Sequence, residues 1–380
     1  MSKSETKMEH TSGLILQTVQ QMRSGGVQAK DDPKWFWSFF EEKCREENIP
    51  RHGTFELTPM CNLNCKMCYV HLDQGNDREK NLITTERWIE IIDEARKAGM
   101  LEATLTGGEC LTHPGFKRIY LNLYDHGIQT TILSNGLLMD EHRTEFLRRH
   151  PPRAIQITLY GSSEDAYEAV TGHRVYQQVK GNIERLRDAG LPVMISMTPN
   201  AYSIDEPEDM IQSAEEFGIR NEINFAILTP RKETGRAKAE ASEKMMLALY
   251  RARKEYREIR ITPPEPCDLP KPNRDCGEHS AKGLRCGAGR SGFAILHDGR
   301  MSACTGLGNA AAVPMKKGFQ AAWKDLNEKM MRYPRPMECD QCAYRKVCLP
   351  CAAIHLDAPV GHCDIRICQR IQHMAAEGLL

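Results

Sequence analysis

Short apolar runs alternate with amphipathic segments between residues 53 and 230 of this 380-residue chain. The short apolar runs predict six strands, over 54–58, 103–106, 130–133, 155–160, 193–198 and 223–228. Between them, apolar positions recur every three or four residues and predict helices over 85–98, 115–126, 140–150, 175–189 and 204–217. A glycine follows four of these helices, as a left-handed C-cap requires: Gly99, Gly127, Gly190 and Gly218.

The repeated order of strand and helix predicts a parallel sheet with right-handed crossovers. The pattern leaves two architectures open, a doubly wound open sheet and a curled partial barrel. In both, ligands bind at the carboxyl ends of the strands.

The periodic pattern ends on both sides of this region. Residues 1–52 hold a polar tail and an aromatic run at 33–40, which we interpret as a helix capping the next domain; a peptide-docking surface is the alternative. After 240 a bridging helix is predicted, and prolines between 263 and 272 then interrupt the pattern. We therefore predict an N-terminal tail and cap (1–52), an α/β domain (53–240), a bridging helix (241–261) and a cysteine-rich domain (262–380).

Charge and hydropathy exclude several function classes. Lysine plus arginine and aspartate plus glutamate are equal at 51 each, so no basic field indicates nucleic acid as a partner. No apolar run is long enough to cross a membrane, and the N-terminus lacks a secretory apolar segment. A cytoplasmic location is expected.

The chain has 15 cysteines, and they are not expected to form disulfides because a reducing compartment disfavours such bonds. Three fall within residues 61–68 and ten between 267 and 368, and such clustering indicates metal or cluster ligation. Cys44 and Cys110 stand apart and are predicted to be buried, inert thiols.

The first cluster of thiols has the spacing C-x3-C-x2-C, at Cys61, Cys65 and Cys68. Three thiolates on a [4Fe–4S] cluster leave one iron open to a substrate or cofactor. A structural zinc site is the alternative, but it normally closes with four ligands, and no fourth lies nearby in sequence.

This loop, the preceding run 54–58 and the aromatic Tyr69 after it resemble the radical S-adenosylmethionine (SAM) enzymes. The resemblance implies that the open iron chelates the amine and carboxylate of SAM, with Tyr69 near the adenine. One-electron reduction would then cleave SAM to methionine and a 5′-deoxyadenosyl radical. The resemblance also implies a partial (β/α)6 barrel over 53–240.

Polar motifs follow the predicted strands in the order found in that family. Gly107-Gly108-Glu109 ends the second strand, with Cys110 in place of the usual proline, and matches the motif that binds the SAM amine. In this motif the glycines allow close backbone approach and Glu109 can accept a hydrogen bond. Arg174 is a candidate for the SAM carboxylate, and a solvated loop arginine is the alternative. The resemblance completes the cofactor-binding set with Ser134, Asn135, Thr158, Ser196 and Thr198, each of which is alone also typical of a turn or strand end.

The C-terminal thiols resemble the SPASM extension of radical SAM enzymes that mature peptides and proteins. The pattern is Cys286, then Gly299-x4-Cys304, a four-cysteine run and a final thiol, although two residues rather than three separate Cys348 from Cys351. Two structural zinc sites are the alternative from spacing alone. The resemblance implies two auxiliary [4Fe–4S] clusters, one on Cys276, Cys286, Cys304 and Cys351 and one on Cys339, Cys342, Cys348 and Cys368. Cys267 remains an alternative to Cys276, and Cys363 an alternative to Cys368.

Three functions compete. The first is a radical SAM oxidoreductase that crosslinks or epimerises a ribosomally synthesised peptide, with three [4Fe–4S] clusters, SAM and a low-potential electron donor such as flavodoxin or ferredoxin. Residues 1–52 show no leader-binding domain, so recognition at the barrel mouth or a separate leader-binding protein is expected. Epimerisation needs a hydrogen-atom donor, for which Cys110, Cys267 and Cys363 are candidates.

The second function is a sulfatase-maturing or small-molecule radical dehydrogenase. It is disfavoured because Thr305 follows Cys304 where sulfatase-maturing enzymes have an aspartate. The third is an electron carrier, which would not need the SAM motifs.

Overall fold

The computed structural model describes residues 33–70, 82–224, 240–260, 286–333, 351–355 and 365–376. Within these residues the strands are β1 (His52–Glu56), β2 (Glu102–Thr106), β3 (Gln129–Ser134), β4 (Ala154–Leu159), β5 (Val193–Met197), β6 (Arg220–Ile223), β7 (Gly292–Ile295) and β8 (Met301–Ser302). The α-helices are α1 (Pro33–Glu46), α2 (Thr85–Lys97), α3 (Phe116–Asp125), α4 (Glu141–Arg149), α5 (Glu164–Thr171), α6 (Tyr176–Asp188), α7 (Pro207–Glu215), α8 (Glu243–Arg260), α9 (Gly308–Ala311), α10 (Phe319–Met331) and α11 (Ile365–Ala376). Short 3₁₀ turns occupy Cys110–Thr112, Thr305–Leu307 and Ala352–His355.

The predicted alternation of strand and helix is confirmed from β1 to β6. The first five strands begin and end within two residues of their predicted bounds. The sixth is shifted towards the N-terminus, and residues 225–228 of its predicted run lie outside the described residues. All four glycines predicted as caps have positive φ, Gly99, Gly127, Gly190 and Gly218.

Helix α5 was not predicted, although both of its ends carry sequence signals. The Ser163 side chain caps the first turn by accepting from the Ala166 N–H, and Gly172 ends the helix in the left-handed conformation with φ of 76°. Only eight residues lie between these caps, too few for a clear apolar period.

The structure divides into two compact units. The described part of the first unit comprises residues 33–60, 82–132 and 286–332, and its strands have the order β3-β2-β1-β7-β8. β1 pairs in parallel with β2 on one side and with β7 on the other, and β8 pairs antiparallel with β7.

The core of the first unit lies between β1, β7 and the helices that cover them. The Phe55 ring makes edge-on contacts with Trp88 at 6.2 Å and Phe293 at 5.9 Å, and Phe293 contacts Phe319 on α10 at 5.0 Å. The indole N–H of Trp88 donates to the Leu57 carbonyl at 3.3 Å. The helix predicted within the aromatic run is confirmed as α1.

Residues 286–332 were assigned from sequence to the C-terminal domain, yet they supply β7 and β8 to the sheet that contains β1. β7 has only four residues, in a glycine-rich context, so neither its length nor its pattern predicts a strand. The domain boundary at 262 remains a prediction.

The described part of the second unit comprises 61–70, 133–224, 240–260, 333, 351–355 and 365–376. β4, β5 and β6 form parallel neighbours in that order, and α8 packs on α7. An ion pair from Arg370 on α11 to Glu240, at 3.6 Å, ties α11 to the residues before α8. β3 passes from the first unit into the second. Among the described helices, none has both the length and the apolar character needed to cross a membrane.

Candidate active site

In the first unit, the Gly107-Gly108 pair fixes the segment that leads out of β1. The Gly108 N–H donates to the Thr58 carbonyl and the Glu109 N–H to the Met60 carbonyl, both at 2.8 Å. Gly107 has a φ of 145°, a conformation that side chains rarely adopt. The close approach that the sequence predicts for this pair is therefore made to the backbone of residues 58–60.

Glu109 is buried, with only 1% of its surface exposed. One carboxylate oxygen accepts from the Leu111 N–H at 3.1 Å and so caps the 3₁₀ turn that follows. The Cys110 thiol donates to the same oxygen at 3.7 Å. Burial, followed by the nearby Glu109 charge, raises the pKa of Cys110. Cys110 and Cys44 are both fully buried, as predicted.

In the second unit, α5 holds the loop that carries the three thiols. The Asn64 N–H donates to the Thr171 carbonyl at 3.1 Å, and the Lys66 N–H donates to the Val170 carbonyl at 3.0 Å. Met67 packs on Val170 in a buried cluster, and Cys65 packs against the same two side chains. Helix α5, which was not predicted from sequence, thus positions the loop that carries the three thiols.

Cys61, Cys65 and Cys68 form no disulfide and are of intermediate exposure. Burial raises the pKa of Cys65, and the charges of Cys68 and Cys61 raise it further, so the three sulfurs lie within electrostatic reach of one another. In the part of the chain that the structure describes, no three histidine, cysteine, aspartate or glutamate side chains converge with the spacing of a preformed metal site.

The donor chemistry of the loop nevertheless fits an iron–sulfur cluster. Three neighbouring thiolates repel one another, and bound cationic iron removes this repulsion. The side-chain amide nitrogen of Asn62, next to Cys61, is buried without a hydrogen-bond partner. A loop of thiols with a polar atom left unsatisfied is more consistent with a ligand site than with a closed core.

Two side chains at strand ends contact these sulfurs. Asn135, which follows β3, donates from its amide nitrogen to the Asn62 side-chain oxygen at 2.7 Å and to the Cys61 sulfur at 3.6 Å. The Tyr160 hydroxyl, after β4, is hydrogen-bonded to Cys65, which lowers the pKa of that thiol. Tyr160 ends the fourth predicted strand, but no sequence pattern predicts its contact with Cys65.

The remaining predicted cofactor-binding residues of this unit lie at strand ends or nearby. Thr158 on β4 and the buried Ser196 on β5 are paired in register on adjacent strands. The Ser134 hydroxyl accepts from the Gly136 N–H at 3.0 Å, and the Thr198 carbonyl accepts from the Asn200 side chain at 3.0 Å. Tyr69 is half-buried at the end of the thiol loop.

Arg174 is exposed and pairs with Asp165 and Glu168 on α5, the latter at 2.9 Å. The hydrogen bonds that its guanidinium donates to Glu168 and Asp165 raise the pKa of Arg174. This environment confirms the interpretation of Arg174 as a solvated loop arginine.

Four of the predicted auxiliary ligands fall within the described residues. Cys286 and Cys351 are exposed, and Cys304 and Cys368 are half-buried. The other candidates lie outside the described residues, namely Cys267, Cys276, Cys339, Cys342, Cys348 and Cys363. The ligand pairings therefore remain predictions.

The first unit also contains a buried pair of a carboxylate and an imidazole that was not predicted from sequence. Glu56, at the end of β1, lies 3.3 Å from the Nδ1 atom of His297, and both side chains are almost fully buried. The two residues are far apart in sequence and match no motif, so only the pairing of β1 with β7 brings them together.

Comparisons with known proteins agree with the thiol loop. Residues 55–214 match the family model described as the Radical SAM superfamily. Curated relatives include the sporulation killing factor maturation protein SkfB of Bacillus subtilis, 27% identical over 45% of this chain and 41% of that protein. The AdoMet-dependent heme synthase of Methanosarcina barkeri is 24% identical over 80% of this chain and 92% of that protein. The chain thus spans less than half of SkfB but most of the heme synthase.

Solved structures show the same fold. SuiB of Streptococcus suis bound to S-adenosylmethionine superposes with a TM-score of 0.67 at 17% identity, covering 93% of this chain and 87% of that one. The structure of anSMEcpe with bound AdoMet gives a TM-score of 0.64 at 12% identity, covering 87% of this chain and 94% of that one. The fold is the mixed α/β, parallel-sheet architecture of a partial barrel, and this chain contains a radical SAM domain.

Proposed function

We propose that this protein cleaves SAM reductively and uses the resulting 5′-deoxyadenosyl radical to modify a ribosomally synthesised peptide, by a crosslink or an epimerisation. The observation that carries this proposal is the loop after β1, where Cys61, Cys65 and Cys68 form no disulfide and the charges of Cys61 and Cys68 act on the Cys65 thiol. Electrostatic repulsion within such a set favours iron binding.

Different residues of the chain would bind the cluster and the different parts of SAM. Cys61, Cys65 and Cys68 would hold the [4Fe–4S] cluster, which supplies one electron to SAM when it is bound. Glu109 would accept a hydrogen bond from the SAM amine through its carboxylate. The family resemblance assigns contacts with the rest of SAM to Tyr69, Ser134, Thr158, Ser196 and Thr198.

The names of the relatives support a peptide substrate. They include SkfB, the subtilosin biosynthesis protein AlbA and a PqqA peptide cyclase, and SuiB has been solved bound to the precursor peptide SuiA. The SPASM-like order of the C-terminal thiols supports two auxiliary clusters. A low-potential flavodoxin or ferredoxin would supply the electron, and the peptide would be recognised at the barrel mouth or presented by a separate leader-binding protein.

A second candidate is radical chemistry on a small molecule of the tetrapyrrole class. The AdoMet-dependent heme synthase match supports it, because that match covers far more of this chain than the SkfB match does. The sulfatase-maturing alternative has weaker support, since Thr305 stands where an aspartate is expected.

The radical chemistry is tested by measuring 5′-deoxyadenosine after anaerobic reconstitution with iron, sulfide, SAM and dithionite. We expect Cys61→Ala, Cys65→Ala and Cys68→Ala each to abolish its formation. Cys44→Ala, which removes a fully buried thiol of α1, is the matched control and should retain it. Continued 5′-deoxyadenosine formation by a loop variant would contradict the proposal.

The two substrate classes are separated by mass spectrometry. The protein is incubated in deuterated buffer with a peptide encoded beside its gene, and separately with an iron porphyrin that carries propionate groups. Loss of two hydrogens from the peptide indicates a crosslink, and deuterium uptake without other change indicates epimerisation. A change in the mass of the porphyrin, with the peptide unchanged, would favour the second candidate.

A further inference from the structure

We propose that Asn135 and Tyr160 set the reduction potential of the cluster on the thiol loop, by donating hydrogen bonds to the sulfurs of Cys61 and Cys65. This inference rests on the proposed function, because it assumes that the loop binds a [4Fe–4S] cluster. It assigns to the two side chains a role in electron transfer to the cluster.

Hydrogen bonds at both the nitrogen and the oxygen of the Asn135 side-chain amide fix its orientation. Its nitrogen donates to the Cys61 sulfur at 3.6 Å and to the Asn62 side-chain oxygen at 2.7 Å, while its oxygen accepts from the Leu137 N–H at 3.0 Å. The oxygen contact identifies which end of the amide faces the sulfur, since an N–H must meet an acceptor there. Only 6% of the residue is exposed.

The loop that carries Asn135 is itself held in place. The side-chain nitrogen of Asn182, buried on α6, donates to the Gly136 carbonyl at 2.9 Å and to the Leu137 carbonyl at 3.2 Å. Gly136 has a φ of 80°, and a Cβ atom there would lie 2.8 Å from the Ile157 side chain. This support orients the Asn135 donor before any cluster is present.

Tyr160 reaches the second sulfur from the next strand end. Its hydroxyl is hydrogen-bonded to Cys65, and its ring packs beside Met67 and Val170. The ring also meets Tyr167 edge-on, with centroids 5.9 Å apart and planes at 84°. Because Tyr167 is fully buried, its packing restricts the movement of the Tyr160 ring.

The effect on the cluster follows from its change in charge. Accepting one electron makes the cluster and its thiolates more negative, so N–H and O–H donors aimed at the sulfurs stabilise the reduced state more than the oxidised state. Two such donors therefore raise the reduction potential. The electron comes from the external low-potential donor, and the hydrogen-bonding protons stay on Asn135 and Tyr160.

The test is an EPR-monitored titration with dithionite of the fully reconstituted protein. The signal that changes on adding SAM identifies the cluster on the thiol loop and separates it from any auxiliary cluster. Tyr160→Phe keeps the ring and removes only the donor. At a fixed potential we expect this variant to lower the ratio of reduced to oxidised cluster by roughly tenfold, equivalent to about 59 mV for one electron.

Substitutions at Asn135 give an independent series. Asn135→Ala should also lower the ratio, because it removes the N–H donor to the Cys61 sulfur. Asn135→Asp should lower it more than Asn135→Ala, because a carboxylate opposes further negative charge near the sulfur. Tyr202→Phe is the control: Tyr202 packs in the same cluster as Tyr160 and should leave the ratio unchanged.

An unchanged ratio in Tyr160→Phe, at wild-type iron content and with a normal SAM-dependent signal, would overturn the inference while leaving the proposed function intact. A wild-type protein with neither a SAM-dependent signal nor 5′-deoxyadenosine formation would instead refute the proposed function. If an Asn135 variant fails to retain iron, Tyr160→Phe decides the question.

Discussion

A Cβ atom on Gly108 would lie 2.4 Å from the carbonyl oxygen of Met60, closer than real side chains approach a backbone atom. Met60 immediately precedes Cys61, so a side chain at position 108 would press on the backbone directly before the thiol loop. Gly108 does not need an unusual φ; it needs the absence of a side chain.

Gly108→Ala is therefore expected to destabilise the protein by about 1–3 kcal/mol, the usual cost of forcing atoms into a packed region. Gly181→Ala is the matched control, because Gly181 lies inside α6 with open space around its Cβ position. There the change should be neutral or stabilising by about 0.5–1 kcal/mol. Urea unfolding of both variants measures the difference, and equal free energies of unfolding would contradict the steric argument.

The number of clusters can be counted directly. Three [4Fe–4S] clusters predict about twelve irons per chain after anaerobic reconstitution, and Cys61→Ala should lower the count to about eight. Colorimetric iron and sulfide assays against protein concentration measure it. A wild-type count near four would refute the two auxiliary clusters.

Glu94 on α2 acts as a cap for another helix. Its carboxylate accepts from the Phe319 N–H at 2.7 Å, at the start of α10, where a negative charge is favourable. Glu94→Ala should lower the free energy of unfolding by about 1 kcal/mol. Glu90→Ala, which removes an exposed carboxylate on the same helix, should change it by less than about 0.5 kcal/mol. Similar losses in the two variants, measured by thermal unfolding, would exclude the capping role.

Asp205 makes stability depend on pH. Burial raises the pKa of this carboxyl above 3.8, although the Ser162 N–H that it accepts at 2.7 Å acts in the opposite direction. The folded state then holds the proton to a higher pH than the unfolded state, so stability falls as pH rises through this window.

Asp205→Asn keeps an oxygen for the Ser162 N–H and removes the buried charge. We expect it to raise the free energy of unfolding of the apo protein at pH 7, with the gain shrinking as the pH approaches about 4. Asp188→Asn, at an exposed carboxylate, should show no such trend. A gain that is constant from pH 5 to 8 would mean that the carboxyl charge is not its cause.

Local patterns in the sequence predicted the local features of the fold. The strands β1 to β5 and the glycine caps follow from apolar period and backbone freedom, which depend on residues close in sequence. The thiol loop was found in the same way, because its three cysteines lie within eight residues.

Features that depend on distant partners could not be found in this way. The Cys61 contact with Asn135 and the Glu56 contact with His297 need strands that meet only in the folded chain. Glu109 shows a second limit of prediction from sequence. The motif indicates a polar side chain near a ligand, whereas the hydrogen bond that the buried Glu109 carboxylate accepts from the Leu111 N–H is seen only in the structure.

The position of β1 between β2 and β7 has a consequence for how this protein is made. A ribosome delivers β1 and the thiol loop early, but residues 57–291 must follow before β7 begins. Until then, the nascent chain keeps one edge of β1 unpaired and open to aggregation. Expression of a fragment that stops before β7 would make that exposure permanent, so iron loading is best attempted on chains that extend through β7.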